Sequence, residues 1–197
     1  MGLADWPERA ARVLRAQPDI ATERLLLRRM RMDDADAVFE YARDPDVARF
    51  TSWYPHSSVE DSRRFLEWIV ASYERGDGAN WGIELRAERR FVGTIGFGVS
   101  PTHRSAEVGY ALARPLWGRG LVTEALVAVL DLAFGTVGLH RVIARCEPEN
   151  TGSWKVMKKV GMTFEGIQRE AFYAKERFAD LMVWSILDRE WRARTAR

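Results

Sequence analysis

The residues best suited to chemistry gather in one stretch, positions 107–128, EVGYALARPLWGRGLVTEALVA. Glu107 opens it with a carboxylate beside a short apolar run. Pro115 ends that run, Trp117, Gly118, Arg119 and Gly120 follow, and a helical pattern begins at Leu121. A strand, a glycine turn and a helix N-terminus in this order form a phosphate cradle. Unsatisfied backbone N–H groups and the positive end of the helix dipole both face the turn. Two glycines let the backbone close around a ligand without Cβ hindrance, and Arg119 between them adds positive charge. An ordinary strand-to-helix connection would also use a glycine for tight packing, so spacing alone leaves both readings open.

Other motifs narrow the choice. No GK[ST] follows the glycines, so a Walker loop with its lysine and magnesium-binding hydroxyl is absent. Gly93, Gly96 and Gly98 lie inside a strand pattern, where a dinucleotide fingerprint does not belong; there they mark a bulge or a close approach of backbones. His56, His103 and His140 are far apart and Cys146 is the single cysteine, so neither a metal site nor an intrachain disulfide is expected. An apolar strand cysteine is normally inert, and Cys146 is not expected to act as a nucleophile.

The elements that position these residues read as follows. Residues 1–20 read as a short helical arm, with Ala10, Val13 and Leu14 near helical spacing and Pro18 ending the pattern. This arm suits a dimer contact or a loosely docked tail. A strand over 22–31 is followed by a helix capped at Asp33-Asp34 and a second capped at Ser58. Three short strands at about 80–87, 90–99 and 106–112 form a meander. The glycine-turn helix runs from there to about Phe134. A strand at 140–146, a helix capped by Asn150, two strands at about 163–173 and 178–187 and a charged C-terminal helix complete the chain. The order βααβββ-α-β-α-ββ predicts an α/β (α+β) mixed sheet covered by helices. Only the strand–helix–strand unit around the turn demands a parallel pair with a right-handed crossover.

At 197 residues the chain fits one domain with a real core. A net charge of +2 does not indicate nucleic acid or a membrane surface as a general partner. No apolar run approaches the ~20 residues that span a bilayer, and the N-terminus lacks a signal-peptide core, so a cytoplasmic protein is expected.

The string YALARPLWGRGLVTEAL, followed by HRVIARCEPENTGSWKVMKKVGMTFEG, resembles the GNAT family of acetyl-CoA-dependent N-acetyltransferases. The branch it is similar to is the RimJ/RimL type, which acetylates N-termini of ribosomal proteins. TERLLLRRM, WYPHSSVEDSRRFL and ADLMVWSILDREW add to the resemblance, which covers roughly 22–191. It implies an N-terminal arm over 1–21 and a single GNAT domain over 22–197. It also implies a cleft for acetyl-CoA as cosubstrate and no metal. Backbone N–H groups of Trp117, Gly118, Arg119, Gly120, Leu121, Val122 and Thr123 would hold the pyrophosphate, although Val122 is bulkier than the family's usual glycine or alanine. Tyr110, Ala111 and Leu112 would carry the pantetheine arm, the splay of their strand from the next would admit the thioester, and a backbone N–H near Leu112 would stabilise the oxyanion.

The resemblance also suggests catalytic groups. Glu107 would take the proton of the incoming amine; its bland alternative is a surface pair with Arg104 or Arg141. Asn150 and Ser153 match the branch's Asn-x-x-Ser. Asn150 would bond the pantetheine or simply cap its helix. Many relatives carry a tyrosine acid one turn later, where this chain has Met157, and that leaves Ser153 as the hydroxyl for the departing thiolate. The loop with Trp53, Tyr54 and His56 and the late hairpin with Phe172, Tyr173, Arg177 and Asp180 are the expected walls for an ammonium-bearing acceptor, with core or loop packing as the alternative for each aromatic. The acceptor reads as a protein N-terminus. A small-molecule amine (antibiotic, polyamine or amino acid) and a non-catalytic acyl-CoA-binding module are the rivals, and the arm leaves room for a homodimer.

Overall fold

The computed structural model describes residues 5–195; the first four residues of the expected arm and the last two of the chain lie outside them. One eight-stranded sheet organises the molecule, in the order β1-β2-β3-β4-β5-β6-β8-β7. Its strands are β1 Ile20–Ala21, β2 Leu25–Arg29, β3 Gly78–Leu85, β4 Arg90–Ser100, β5 Ser105–Leu112, β6 Arg141–Cys146, β7 Thr163–Ala174 and β8 Arg177–Leu187. The helices are α1 Trp6–Ala16, α2 Ala35–Ala42, α3 Pro45–Ala48, α4 Val59–Ser72, α5 Leu121–Asp131, α6 Thr151–Lys159 and α7 Asp188–Thr195. All strand pairs are antiparallel except β5 and β6, and α5 crosses over between those two. The mixed sheet read from the sequence is therefore present. The first strand is split, because the chain turns at Thr22, whose N–H donates to the Leu25 carbonyl at 2.8 Å.

Two apolar clusters sandwich the sheet. One is built on α1 and α5 with Leu126, Val129, Leu130, Trp81 and Ile95; the other packs α2 and α4 through Val38, Tyr41, Leu66 and Ile69 against Phe91. The described part of the N-terminal arm is docked on the sheet and is not a loose tail. Trp6, Ala10 and Leu14 are buried in the first cluster, and Trp6 Nε1 donates to the Val137 carbonyl at 2.9 Å. Gln17 is buried as well and exchanges two bonds with the backbone of Asn80.

The glycines of β4 behave as a strand setting predicts. A Cβ at Gly93 would come within 2.3 Å of the Ala111 carbonyl oxygen, and the β3–β4 register shifts beside it at Ile83/Glu84. The β7–β8 hairpin closes through Lys175 and Glu176, both left-handed (φ 52° and 61°). That is the two-residue turn matching strand twist, built here without glycine or asparagine.

Candidate active site

The parallel β5–β6 ladder is short. It pairs Ser105 with Arg141, Ala106 with Val142 and Glu107 with Ile143, and then stops. β5 continues to Leu112 and β6 to Cys146, so beyond Glu107 the two strands diverge and expose unpaired backbone on both edges. The wedge between them belongs to a cleft of about 1150 Å³. Tyr110, Ala111 and Leu112 line one side, Cys146, Glu147, Asn150 and Ser153 the other, and Trp117, Gly118, Gly120, Leu121, Val122 and Thr123 the end.

The turn at that end has the expected geometry. Gly118 and Gly120 are both left-handed (φ 76° and 78°), and a Cβ at Gly118 would meet nothing within 4 Å. The space in front of the turn is open, so these glycines serve conformation and approach. No side chain caps α5, and its ladder begins with Glu124 N donating to Gly120 O at 3.0 Å. The N–H groups of Leu121, Val122 and Thr123 consequently have no acceptor within the helix and face the cleft with the positive end of the dipole. Val122 is half-buried and lines the cleft. Trp117 Nε1 donates to the Leu112 carbonyl at 2.7 Å, which ties the turn to the end of β5. A pyrophosphate fits such a cradle, and a pantetheine arm fits an edge of unpaired strand backbone.

A brace that sequence spacing did not reveal holds the turn. Glu124 accepts from Thr22 Oγ1 at 2.6 Å, from Arg24 N at 2.8 Å and from Arg24 Nε at 2.6 Å. Arg24 in turn donates to the Arg119 carbonyl at 3.0 Å, and its Nη2 lies 3.6 Å from where a Gly120 Cβ would be. Burial raises the Glu124 carboxyl, but the Thr22 and Arg24 bonds outweigh it and the net direction is down. Arg119 itself is the one expected cofactor residue outside the cleft lining; it contributes its carbonyl to this brace.

Across the wedge, the Tyr110 hydroxyl lies 3.0 Å from Ser153 Oγ and donates to the Ser153 carbonyl at 3.2 Å. Burial pushes the Tyr110 phenol well above its ordinary value, against the opposing Ser153 bond. Asn150 caps α6 by accepting from Ser153 N at 3.2 Å, so the capping alternative is realised. Met157 is buried in the core one turn later. The Cys146 thiol is buried and pushed up to about 11, chiefly by desolvation, which suits an inert thiol.

Glu107 lines the cleft at the point where the strands part. Its two oxygens accept from Arg145 Nε and Nη2, both at 2.8 Å. This differs from the expected partners. Arg104 donates to the Gly138 carbonyl and Arg141 pairs with Glu165, while Arg145 sits two residues beyond Ile143, on the same face as Glu107.

Of the seven expected acceptor walls, Trp53 and Phe172 border the cleft, and Arg177 borders a smaller pocket beside it. Tyr54 is exposed outside the cleft, and Tyr173 is exposed on the hairpin, in a tilted ring contact with Phe178. His56 is engaged in packing: its Nδ1 lies 2.8 Å from Ser62 Oγ, and its ring contacts Trp53 and Phe65. Asp180 accepts from Glu170 N at 2.9 Å and pins the β7 bulge. Besides Trp53 and Phe172, the cleft is lined by Phe50, Phe65, Trp68 and Glu147. Among the described residues no group of three or more His, Cys, Asp or Glu is arranged to hold a metal, and no helix is long and apolar enough to cross a membrane.

A parallel pair that splays beside a glycine-led helix defines a class of acyl-carrier transferases, and comparison with known proteins agrees. The model of the acetyltransferase (GNAT) domain matches residues 24–163. The uncharacterized N-acetyltransferase p20 of Bacillus licheniformis is 34% identical over 171 residues, covering 86% of this chain and 96% of that protein. A GNAT-family acetyltransferase of Bacillus anthracis superposes with a TM-score of 0.79 at 33% identity, covering 88% of this chain and all of that one. The ribosomal-protein-serine acetyltransferase of Escherichia coli is more distant, 27% identical over 65% of this chain and 74% of that protein. The chain belongs to the GNAT family and is an acetyl-CoA-dependent N-acetyltransferase.

Proposed function

We propose that this enzyme acetylates the α-amine of a protein N-terminus, with ribosomal proteins as the substrate class. The observation that carries the reading is the cleft itself. Its volume of about 1150 Å³ exceeds the ~300–1,000 Å³ usual for a single small ligand. It continues from the phosphate turn through the wedge to an opposite wall of Trp53, Phe65, Trp68 and Phe172. That leaves room for a chain terminus facing the carrier. The relative that acetylates a ribosomal-protein serine supports the substrate class.

The proposed sequence is direct transfer. The pyrophosphate of acetyl-CoA rests on the amides of the 117–123 turn, and its thioester lies in the wedge beside Leu112. The neutral amine attacks the thioester carbonyl carbon, and a backbone N–H near Leu112 stabilises the oxyanion. The C–S bond breaks as the amide forms. Glu107 takes the amine's proton through water at its exposed edge, a modest task for an α-amine of pKa about 8. The Tyr110–Ser153 hydroxyl pair protonates the departing thiolate. Tyr110 thereby supplies the phenol that position 157 lacks, and its raised value keeps it protonated as a donor.

A panel of peptides beginning with Ser or Ala, free lysine, polyamines and aminoglycosides tests the acceptor by release of free thiol from acetyl-CoA. Turnover confined to the peptides is expected. Preference for a small amine would overturn the protein-acceptor reading. No release above blank with any amine, while acetyl-CoA still binds, would mark a carrier-binding module.

A further inference from the structure

Glu147 follows β6 at the mouth of the wedge and is unusual for a carboxylate: its side chain is only 6% exposed. Burying a carboxylate is costly unless a cation compensates it. Its compensation is Arg177, which is half-exposed and enters from the first position of β8, next to the hairpin turn. One guanidinium nitrogen straddles both carboxylate oxygens, at 2.6 and 2.7 Å. The pairs Arg145–Glu107, Arg141–Glu165 and Arg28–Asp34 are made through two guanidinium nitrogens, whereas Arg177–Glu147, like Arg24–Glu124 and Arg28–Glu84, uses one. A single nitrogen offers a point-like positive charge with none of the two-point geometry that makes a guanidinium hard to replace. An ammonium offers the same point charge.

The surroundings suit that exchange. Glu147 lines both the main cleft and a side pocket of about 350 Å³ formed with Arg49, Phe50, Glu149 and Arg177. Phe50 gives the pocket an aromatic face, and Glu149 is exposed beside it. The hairpin that carries Arg177 is strapped over the cleft by Lys175, whose Nζ donates to the Ala48 carbonyl. The strap lets Arg177 swing aside while the hairpin stays in place.

We propose that Glu147 is the docking group for the acceptor's ammonium, and that Arg177 occupies its place in the free enzyme. This deepens the proposed function and rests on it. The entering R–NH₃⁺ displaces the Arg177 guanidinium from the carboxylate, so the buried charge is never left bare. The amine then gives up its proton at the wedge, a few residues along β6. Glu147 is thus a specificity-determining residue that selects cationic amines.

Steady-state kinetics on the best acceptor of the panel tests this through two variants with opposite expected signs. Glu147→Gln removes the docking charge and raises the acceptor KM about tenfold or more, with the acetyl-CoA KM unchanged. Arg177→Gln keeps a donor to the carboxylate but removes the competing cation, and lowers the acceptor KM several-fold. A purely structural ion pair would shift both variants in one direction, and that result overturns the proposal. So does an unchanged acceptor KM in Glu147→Gln. If Glu147→Gln does not fold, Arg177→Gln alone decides, since a raised or unchanged acceptor KM refutes displacement. Wild-type enzyme that releases no thiol with any amine overturns both this inference and the functional reading, whereas turnover with unshifted KM overturns the inference alone.

Discussion

Removing Glu124 should separate the charge of the brace from its hydrogen bonds. Glu124→Gln keeps an acceptor for Thr22 Oγ1 and Arg24 N and loses only the ion pair with Arg24, whose side chain is 44% exposed. An exposed pair of this kind is worth about 1 kcal/mol at most. Glu124→Ala also strands the Thr22 hydroxyl and the Arg24 amide, and the total rises to about 2–3 kcal/mol. At ~2–4 °C per kcal/mol for a chain of this length, calorimetry should show Tm losses of roughly 2–4 °C for the first variant and about 5–10 °C for the second. The Glu124 carboxyl is held below its ordinary value. Its contribution is therefore complete above the unfolded glutamate value of about 4.3 and fades as pH falls through the lowered folded value. The gap between wild type and Glu124→Gln should close on acidification. Because Arg24 also holds the Arg119 carbonyl, acetyl-CoA affinity should fall more in Glu124→Ala than in Glu124→Gln. Equal Tm losses in the two variants, or a gap that widens in acid, would refute the assignment of charge and hydrogen-bond shares.

Three further outcomes are expected. Gly120→Ala forces a side chain into left-handed backbone at φ 78°, costing about 1–2 kcal/mol, and should weaken acetyl-CoA binding by titration calorimetry more than it lowers Tm. Tyr110→Phe removes the hydroxyl 3.0 Å from Ser153 Oγ; kcat should drop by about 10²-fold with little change in acetyl-CoA KM, and an unchanged kcat would remove the pair as proton source. Trp6→Ala deletes a buried indole bonded to Val137 and should cost about 3–5 kcal/mol in denaturant unfolding, whereas a dispensable arm would cost almost nothing.

The half of the site carried by local sequence was legible, and the half assembled from distant strands was not. Trp117 to Thr123 spell out a turn and helix start because glycine conformation and helix initiation are local properties. The splay after Glu107 was expected through the family resemblance alone, because it depends on where a parallel register stops, which no spacing within β5 or β6 records. Nothing in the local sequence marks Glu124, because its partner Arg24 lies 100 residues away. The acceptor walls show the same limit. Trp53 reaches the cleft, but His56 is spent on Ser62 and Asp180 on the Glu170 amide, since an exposed-looking polar or aromatic residue can equally serve packing. Glu147 carries no local mark at all, because the residues around it come from distant segments: Arg49 and Phe50 after α3, and Arg177 at the start of β8.

The central claim is that free backbone amides at the start of α5 hold the pyrophosphate of acetyl-CoA. Hydrogen exchange read at single-residue resolution, with and without saturating acetyl-CoA, tests it directly. Protection should appear at the amides of Leu121, Val122 and Thr123, with weaker protection along Tyr110 to Leu112. Binding that protects other segments and leaves these amides exchanging at their free rates would contradict the account.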